Sequence, residues 1–287
     1  MTSPRVQHLS GRLVVVTGAG SGIGRATALR FAAEGCTVIA ADLSAERAAA
    51  TASASATLAG RAVPYEVDVA DAGAMEDFAA NVHRQHGVTD ILVNNAGVGV
   101  AGPMLSTSLD DWHRLIGVNL LGVVHGCRLF GPQMVARGEG GHIVNVASAA
   151  AFHPSRSLPA YSATKAAVLM LSECLRIELA PHHVGVTAIC PGLINTDIVR
   201  STVYVGGDAA NAEQQRQAAV RLYQRRNYGP ERVAARILDS VRHNRAVVPV
   251  TVEAHVFRLI ARLFPGVART LARLERGGST LSLHQDT

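Results

Sequence analysis

The sequence predicts a doubly wound α/β fold, and three observations carry that prediction. Short apolar runs alternate with alanine-rich stretches of helical periodicity, the runs are rich in β-branched residues, and a glycine-rich turn joins the first run to the first helical stretch. The runs are residues 13–17, 37–41, 62–67, 91–94, 142–146, 185–190 and 246–250. Seven such segments suit the strands of a parallel sheet buried on both faces. Between them, residues 24–34, 75–86, 109–135, 162–179 and 231–242 are long enough for crossover helices and repeat apolar residues at helical spacing. The alanine-rich stretch 48–59 reads as an exposed helix end and loop.

At 287 residues, 48% hydrophobic and 17% charged, the chain is sized for one large core. The expected organisation is a short tail over 1–11, one domain over 12–251 with a substrate segment at about 197–228, and a basic helical extension over 252–287. Cys36, Cys127, Cys174 and Cys190 lie far apart with no zinc-like or redox-pair spacing, so they read as buried thiols, and no metal is expected. The segment from Met1 to Arg12 lacks the apolar centre of a signal peptide, and no run approaches an uninterrupted membrane span, so a cytoplasmic location is expected. A net charge of +5 raises nucleic acid as a partner, but the arginines are dispersed and aromatic content is only 4%, so none is expected.

The first run enters Gly18-Ala19-Gly20-Ser21-Gly22-Ile23-Gly24. Backbone without Cβ atoms can approach a pyrophosphate there, and unpaired N–H groups at a helix N-terminus favour its charge. Asp42 follows the second run, 18 residues beyond Gly24, where a carboxylate can accept from both hydroxyls of an adenosine ribose and repel a 2′-phosphate. It also suits the N-cap of the next helix, and the same oxygens do not easily serve both. Asp68-Val69 and Asn94-Asn95-Ala96-Gly97 follow the third and fourth runs, at strand ends where open α/β sheets bind ligands.

The chemical signal is Ser148 followed by Tyr161 and Lys165, the last two sharing one helix face at a spacing of four. An ammonium beside a phenol favours phenolate and draws the reference pKa of about 10 toward working pH. A group that exchanges a proton with an alcohol or alkoxide needs that tuning, and Ser148 is placed to hydrogen-bond the same oxygen.

Thr17-Gly18-x-x-x-Gly22-x-Gly24, Asn94-Asn95-Ala96-Gly97, Asn119-x-x-Gly122, Ser148 with Tyr161-x-x-x-Lys165, and Pro191-Gly192 with Thr196 together resemble the short-chain dehydrogenase/reductase family over residues 12 to about 197. The resemblance implies a Rossmann-type fold and a hydride exchange between a nicotinamide cofactor and an alcohol/carbonyl pair. By the resemblance Tyr161 is the general acid/base, Lys165 lowers its pKa and binds the nicotinamide ribose, Ser148 orients the carbonyl, and Asn119 holds a water linking Lys165 to solvent. Gly18, Ser21, Gly22, Ile23 and Gly24 would form the pyrophosphate loop, and Asp68 and Val69 would reach the adenine. Asn95, with Ala96 and Gly97, would lie near the adenosine-side ribose, and Ile194 and Thr196, after Pro191 and Gly192, would meet the nicotinamide amide or the phosphates. Members that prefer NADP tend to carry a basic residue at the positions held here by Ser21 and Leu43, so NAD is expected over NADP. Family members form dimers or tetramers through helices corresponding to 109–135 and 162–179, so a homodimer or homotetramer is expected.

The substrate is expected to be a secondary, hydrophobic, steroid- or lipid-like alcohol, with Val199, Val203, Tyr204, Val205, Val220, Leu222 and Tyr223 candidates for an apolar pocket or for ordinary helix packing. Alternatives are an NADP-dependent ketone or 3-oxoacyl thioester reductase and, in another class, a non-catalytic dinucleotide-binding or membrane-tethered protein. In the extension, a helical projection gathers Arg258, Arg262, Arg269, Arg273 and Arg276 within about 60° of one another, opposite Val256, Leu263, Val267, Leu271 and Leu274. Pro265-Gly266 is expected to divide it into two helices. The apolar stripe would pack on the domain or a neighbouring subunit, make a peripheral membrane contact through 252–276, or cover an apolar substrate entrance.

Overall fold

The computed structural model describes residue 6 and residues 8–274. Its strands, among the described residues, are β1 (Leu13–Thr17), β2 (Thr37–Asp42), β3 (Arg61–Glu66), β4 (Ile91–Asn94), β5 (Val100–Ala101), β6 (Gly141–Val146), β7 (Val184–Cys190), β8 (Val203–Tyr204) and β9 (Val247–Pro249). The helices are α1 (Gly22–Ala33), α2 (Ala45–Ala54), α3 (Ala72–His86), α4 (Leu109–Ile116), α5 (Gly122–Arg137), α6 (Pro159–Leu179), α7 (Ile198–Ser201), α8 (Ala209–Arg226), α9 (Pro230–Arg242), α10 (Val252–Leu263) and α11 (Pro265–Leu274). A π-helical turn, Gly117–Leu121, joins α4 to α5.

All seven expected runs become strands of one parallel sheet in the order β3-β2-β1-β4-β6-β7-β9. The chain leaves β1 for β2 on one side and β4 on the other, so the strand order reverses at β1 and opens a crevice there. Alternate side chains of β1 serve opposite layers: Val14 and Val16 pack with Ala28, Phe31, Ile237 and Val241 of α1 and α9. Val15 packs with Phe78, Phe130 and Val168 of α3, α5 and α6. β3 is an edge strand with exposed positions, not one buried on both faces, because among the described residues it ends the sheet.

Several expectations change. The alanine-rich stretch is a crossover helix: Ser44 caps α2 by accepting from Arg47 N, and Ala48, Thr51 and Ser55 are buried. Alanine offers little hydrophobic contrast, which masks the buried face. A second sheet of two strands pairs Val100 with Val203 and Ala101 with Tyr204, tying the substrate segment to the loop after β4. Two-residue strands leave no periodicity to read. The helical run Leu109–Arg137 is, by length and composition, apolar enough to cross a membrane, contrary to expectation. It packs instead as a crossover helix, burying Gly122, Val123, Gly126, Cys127, Phe130, Gly131 and Met134. Cys174 is exposed, unlike the other three cysteines, because it lies on the outer face of α6.

At the N-terminal end the expected tail is partly tucked in, with Leu9 buried and its carbonyl accepting from Cys36 Sγ at 3.1 Å. Residues 1–5, residue 7 and residues 275–287, including Arg276, lie outside the described residues. The extension does form two helices, with Pro265 at the start of the second. Of its apolar stripe Val256, Leu263 and Val267 are exposed, as are Val252 and Leu259 on the same face of α10, while Ala254 is buried; the side chains of Leu271, Arg273 and Leu274 lie outside the described residues.

His142 of β6 is fully buried, and its Nε2 donates to Thr187 Oγ1 at 2.8 Å while Thr187 donates onward to the Arg245 carbonyl. Nδ1 has no partner among the described residues, and burial with the nearby Arg176 charge pulls the imidazole pKa down from 6.5 to about 3. As pH falls from about 6.5 toward about 3, the unfolded chain binds a proton that the native state refuses, so stability declines by up to about 1.4 kcal/mol per pH unit. Urea unfolding at several pH values should show this decline, and His142→Gln should flatten it.

Candidate active site

The C-terminal ends of β1, β2, β3, β4, β6 and β7 carry Gly18, Asp42, Asp68, Asn95, Ser148 and Pro191, so one edge of the sheet gathers the sequence-derived candidates. The loop after β1 turns at Gly18, whose φ of 63° lies in the left-handed region that favours glycine. A Cβ on Gly24 would lie 2.0 Å from Gly18 O, so helix α1 can start against the loop only with glycine at this position. Ser21 caps α1 without a side-chain bond, and no acidic side chain occupies the first turn. The N–H groups of that turn are therefore available to an anion, and the loop fits the diphosphate of a dinucleotide.

The crevice is fastened by Thr17 and Asn95. Thr17 Oγ1 accepts from Asn95 N at 3.0 Å and Ala96 N at 3.2 Å, while Asn95 Nδ2 donates to Thr17 O at 2.9 Å and Gly18 O at 3.2 Å. Asn95 thus braces the glycine loop. Thr17 opens the glycine-loop motif in the sequence but is assigned no role there, because its long-range partners Asn95 and Ala96 are invisible in sequence.

Asp42 is buried and engaged. Its Oδ2 accepts from Gly20 N at 2.8 Å, and its Oδ1 accepts from Ser44 N at 3.0 Å and from Arg47 Nη2 at 3.1 Å. The cap of α2 is Ser44, so Asp42 supports the loop and the turn before the helix without being the N-cap. Asp68 is exposed and accepts from Ala70 N at 2.9 Å. Val69 is buried against Gly122, where a Cβ would approach within 2.8 Å of Val69 Cγ2, which accounts for glycine three residues after Asn119.

Asn119 sits in the π-helical turn, a departure from α geometry that often marks functional positions. Its Oδ1 accepts from Val98 N at 2.8 Å and its Nδ2 donates to Val98 O at 3.0 Å, so its amide clamps the loop after β4. A Cβ on Gly97 would lie 3.3 Å from Asn119 Oδ1 and 3.5 Å from Lys165 Nζ, which brings these three residues together.

Tyr161 and Lys165 lie near the start of α6. Lys165 Nζ donates to Val146 O at 2.9 Å and stands 5.8 Å from the centroid of the Tyr161 ring. Burial lowers the Lys165 pKa to about 8. Lys165 is expected to draw the Tyr161 pKa downward, whereas the largest influence on it is burial. Burial raises it, and hydrogen bonding from Ser148 opposes that rise. Ser148 Oγ also accepts from Ala150 N at 3.1 Å, fixing the turn after β6.

The loop after β7 closes the arrangement. Ala149 N donates to Pro191 O at 2.7 Å, and a Cβ on Gly22 would lie 3.2 Å from Thr196 Cβ, so Thr196 rests on the glycine loop. Ile194 is buried. Glu253 of α10 was not foreseen: its Oε1 accepts from Leu193 N at 3.1 Å and its Oε2 from Arg226 Nη2 at 2.7 Å. It thereby ties the Pro191-Gly192 loop, α8 and α10 together. A glutamate in a helix first turn reads only as favourable to the helix dipole, so its long-range partners are invisible in sequence.

A family model described as short chain dehydrogenase matches residues 12–204. The chain belongs to the short-chain dehydrogenase family. It carries that family's NAD(P)-dependent dehydrogenase/reductase domain, and the parallel sheet flanked by helices is the family's Rossmann-type fold. It is 47% identical over 264 residues to the probable oxidoreductase EphD of Mycobacterium tuberculosis, covering 91% of this chain and 45% of that protein. The chain therefore spans about half the length of these curated relatives. It is 36% identical over 189 residues to the 3-oxoacyl-[acyl-carrier-protein] reductase FabG of Thermotoga maritima, covering 66% of this chain and 76% of that one. A crystal structure of a short-chain dehydrogenase/reductase from Burkholderia phymatum in complex with NAD superposes with a TM-score of 0.79 at 28% identity, covering 95% of this chain and 99% of that one.

Replacing Glu253 with alanine leaves Leu193 N–H and Arg226 without their partner, an expected cost of about 1–2 kcal/mol. Urea unfolding measures that loss, and cofactor affinity should fall with it because the Pro191 loop loses its brace.

Proposed function

We propose that this chain is an NAD-dependent oxidoreductase that interconverts a secondary, hydrophobic alcohol of steroid- or lipid-like character and its carbonyl, with Tyr161 as general acid/base. The observation that carries this reading is the convergence of Ser148, Tyr161, Lys165 and Asn119 beside a glycine loop shaped for a diphosphate. NAD, when bound, supplies or accepts the hydride. Gly18, Ser21, Gly22, Ile23 and Gly24 would hold its diphosphate, Asp42 the adenosine ribose, and Asp68 with Val69 the adenine. Asn95, Ala96 and Gly97 would line the crevice. Pro191, Gly192, Ile194 and Thr196 would flank the nicotinamide end, where Tyr161 and Lys165 meet the ribose.

In the oxidative direction the Tyr161 oxygen takes the hydroxyl proton while Ser148 holds the same substrate oxygen; in reduction Tyr161 returns the proton. Lys165 stabilises the phenolate, and a water held at Asn119 would connect it to solvent. Tyr161 packs, as do Val98, Trp112, Val203 and Val205, against the buried Val100, Leu115 and Ala160, an apolar surrounding that favours a hydrophobic substrate. Leu222, at 50% exposure, is not part of that surrounding.

NADP is a second reading with an observation of its own, the Arg47 guanidinium on Asp42, where it would meet a 2′-phosphate. Asp42 favours NAD because its carboxylate is buried and repels that phosphate. For assembly, exposed Leu121 beside α5 and exposed Met170 and Ile177 on α6 support a homodimer or homotetramer through these helices.

An alcohol and ketone panel with both cofactors tests the reading: turnover with NAD should exceed that with NADP, and Tyr161→Phe should abolish turnover with NAD affinity nearly unchanged. Retained turnover in that variant overturns the assignment, and tighter NADP binding overturns the role of Asp42. Because burial raises the Tyr161 pKa from its ordinary value, kcat/KM for alcohol oxidation should rise with pH through the neutral range while ketone reduction does not.

A further inference from the structure

α10 is amphipathic with its apolar stripe on the outside. On a helical projection Val252, Val256, Leu259 and Leu263 fall within about 60° of one another, and they are 77%, 43%, 57% and 57% exposed. The opposite face is the one packed on the domain: Ala254 is buried, and the Phe257 ring stacks on His153 at 4.8 Å. Phe264 and Val267 extend the apolar surface across the junction with α11, at 56% and 49% exposure. His255, Arg262 and Arg269 are exposed beside it.

The charge around this face is one-sided. Between Val252 and Leu274 the sequence holds Arg258, Arg262, Arg269 and Arg273 but a single acidic residue, Glu253, which is engaged by Arg226 and Leu193 N. A second copy meeting the face about a two-fold axis would bring the arginines of both copies together with no free carboxylate on either helix to pair with them. An outward apolar stripe rimmed by cations is complementary to a surface that is apolar beneath and anionic at its boundary.

We propose that α10 and α11 form a docking surface for an anionic lipid bilayer, with Val252, Val256, Leu259, Leu263 and Phe264 entering the acyl boundary and Arg262 and Arg269 meeting lipid phosphates. The docked helix is the one that braces the active site, through Phe257 on His153 and Glu253 on Leu193 N. The inference rests on this face alone and stands apart from the redox reading.

The test is co-sedimentation of the full chain with vesicles of phosphatidylcholine alone and of phosphatidylcholine mixed equally with phosphatidylglycerol, with sedimentation velocity in the absence of lipid. Binding is expected on the anionic vesicles at low salt, with a drop of about tenfold in Leu259→Asp/Leu263→Asp and in Arg262→Glu, and a comparable drop at high salt. Circular dichroism and an unchanged urea midpoint certify that the variants fold. No binding to anionic vesicles, equal binding to phosphatidylcholine alone, or binding retained in the variants overturns the proposal. A fall in sedimenting mass caused by Leu259→Asp/Leu263→Asp overturns it in favour of a second copy.

Discussion

The fastening of β1 to the loop after β4 is the interaction on which the rest of the site depends. Where strand order reverses, two neighbouring strand ends diverge and leave backbone groups unpaired, and Thr17 and Asn95 satisfy them across the gap. That clamp does more than close a polar inventory. It holds Gly18 against Ala96, seats α1 behind the glycine loop, and sets Gly97 between Asn119 and Lys165. The glycine loop and the cluster of Asn119 and Lys165 are thereby registered to each other through one strand pair.

A second layer of support comes from side chains that serve backbone groups rather than substrate. Asn119 uses its amide on Val98, Lys165 reaches Val146 O, Ser148 caps the turn it opens, and Glu253 holds Leu193 N. Each fixes one loop at the strand ends, and loops so fixed present reacting groups with little ordering left to complete on binding. Burial has a cost in the same place: it raises the Tyr161 pKa and lowers that of Lys165 to about 8, disfavouring the charged form of each while leaving the ammonium predominant near neutral pH.

Much of this was legible in the sequence because the governing patterns are short and local. Seven apolar runs become seven strands, and the glycine loop, Asn119, Ser148, Tyr161 and Lys165 converge at one sheet edge. What escaped depends on long-range contact or on weak contrast. The two-residue strands Val100–Ala101 and Val203–Tyr204 have no readable period, and α2 hides its buried face among alanines. The split role of Asp42, bonded at once to Gly20, Ser44 and Arg47, needs three-dimensional knowledge of the loop. For α10 the stripe was visible, but which face meets the domain is decided by packing at Ala254 and Phe257.

The central claim, that the Thr17–Asn95 clamp builds a dinucleotide site beside Tyr161, is tested most directly by NADH titration followed through the single tryptophan. Trp112 packs with the same apolar group as Tyr161, so bound NADH should draw energy from its fluorescence. Saturable transfer is predicted for the wild-type chain, with affinity reduced about tenfold in Thr17→Val, where Asn95 N and Ala96 N lose their acceptor. Absence of transfer in the wild type, or unchanged affinity in a folded Thr17→Val, would contradict it.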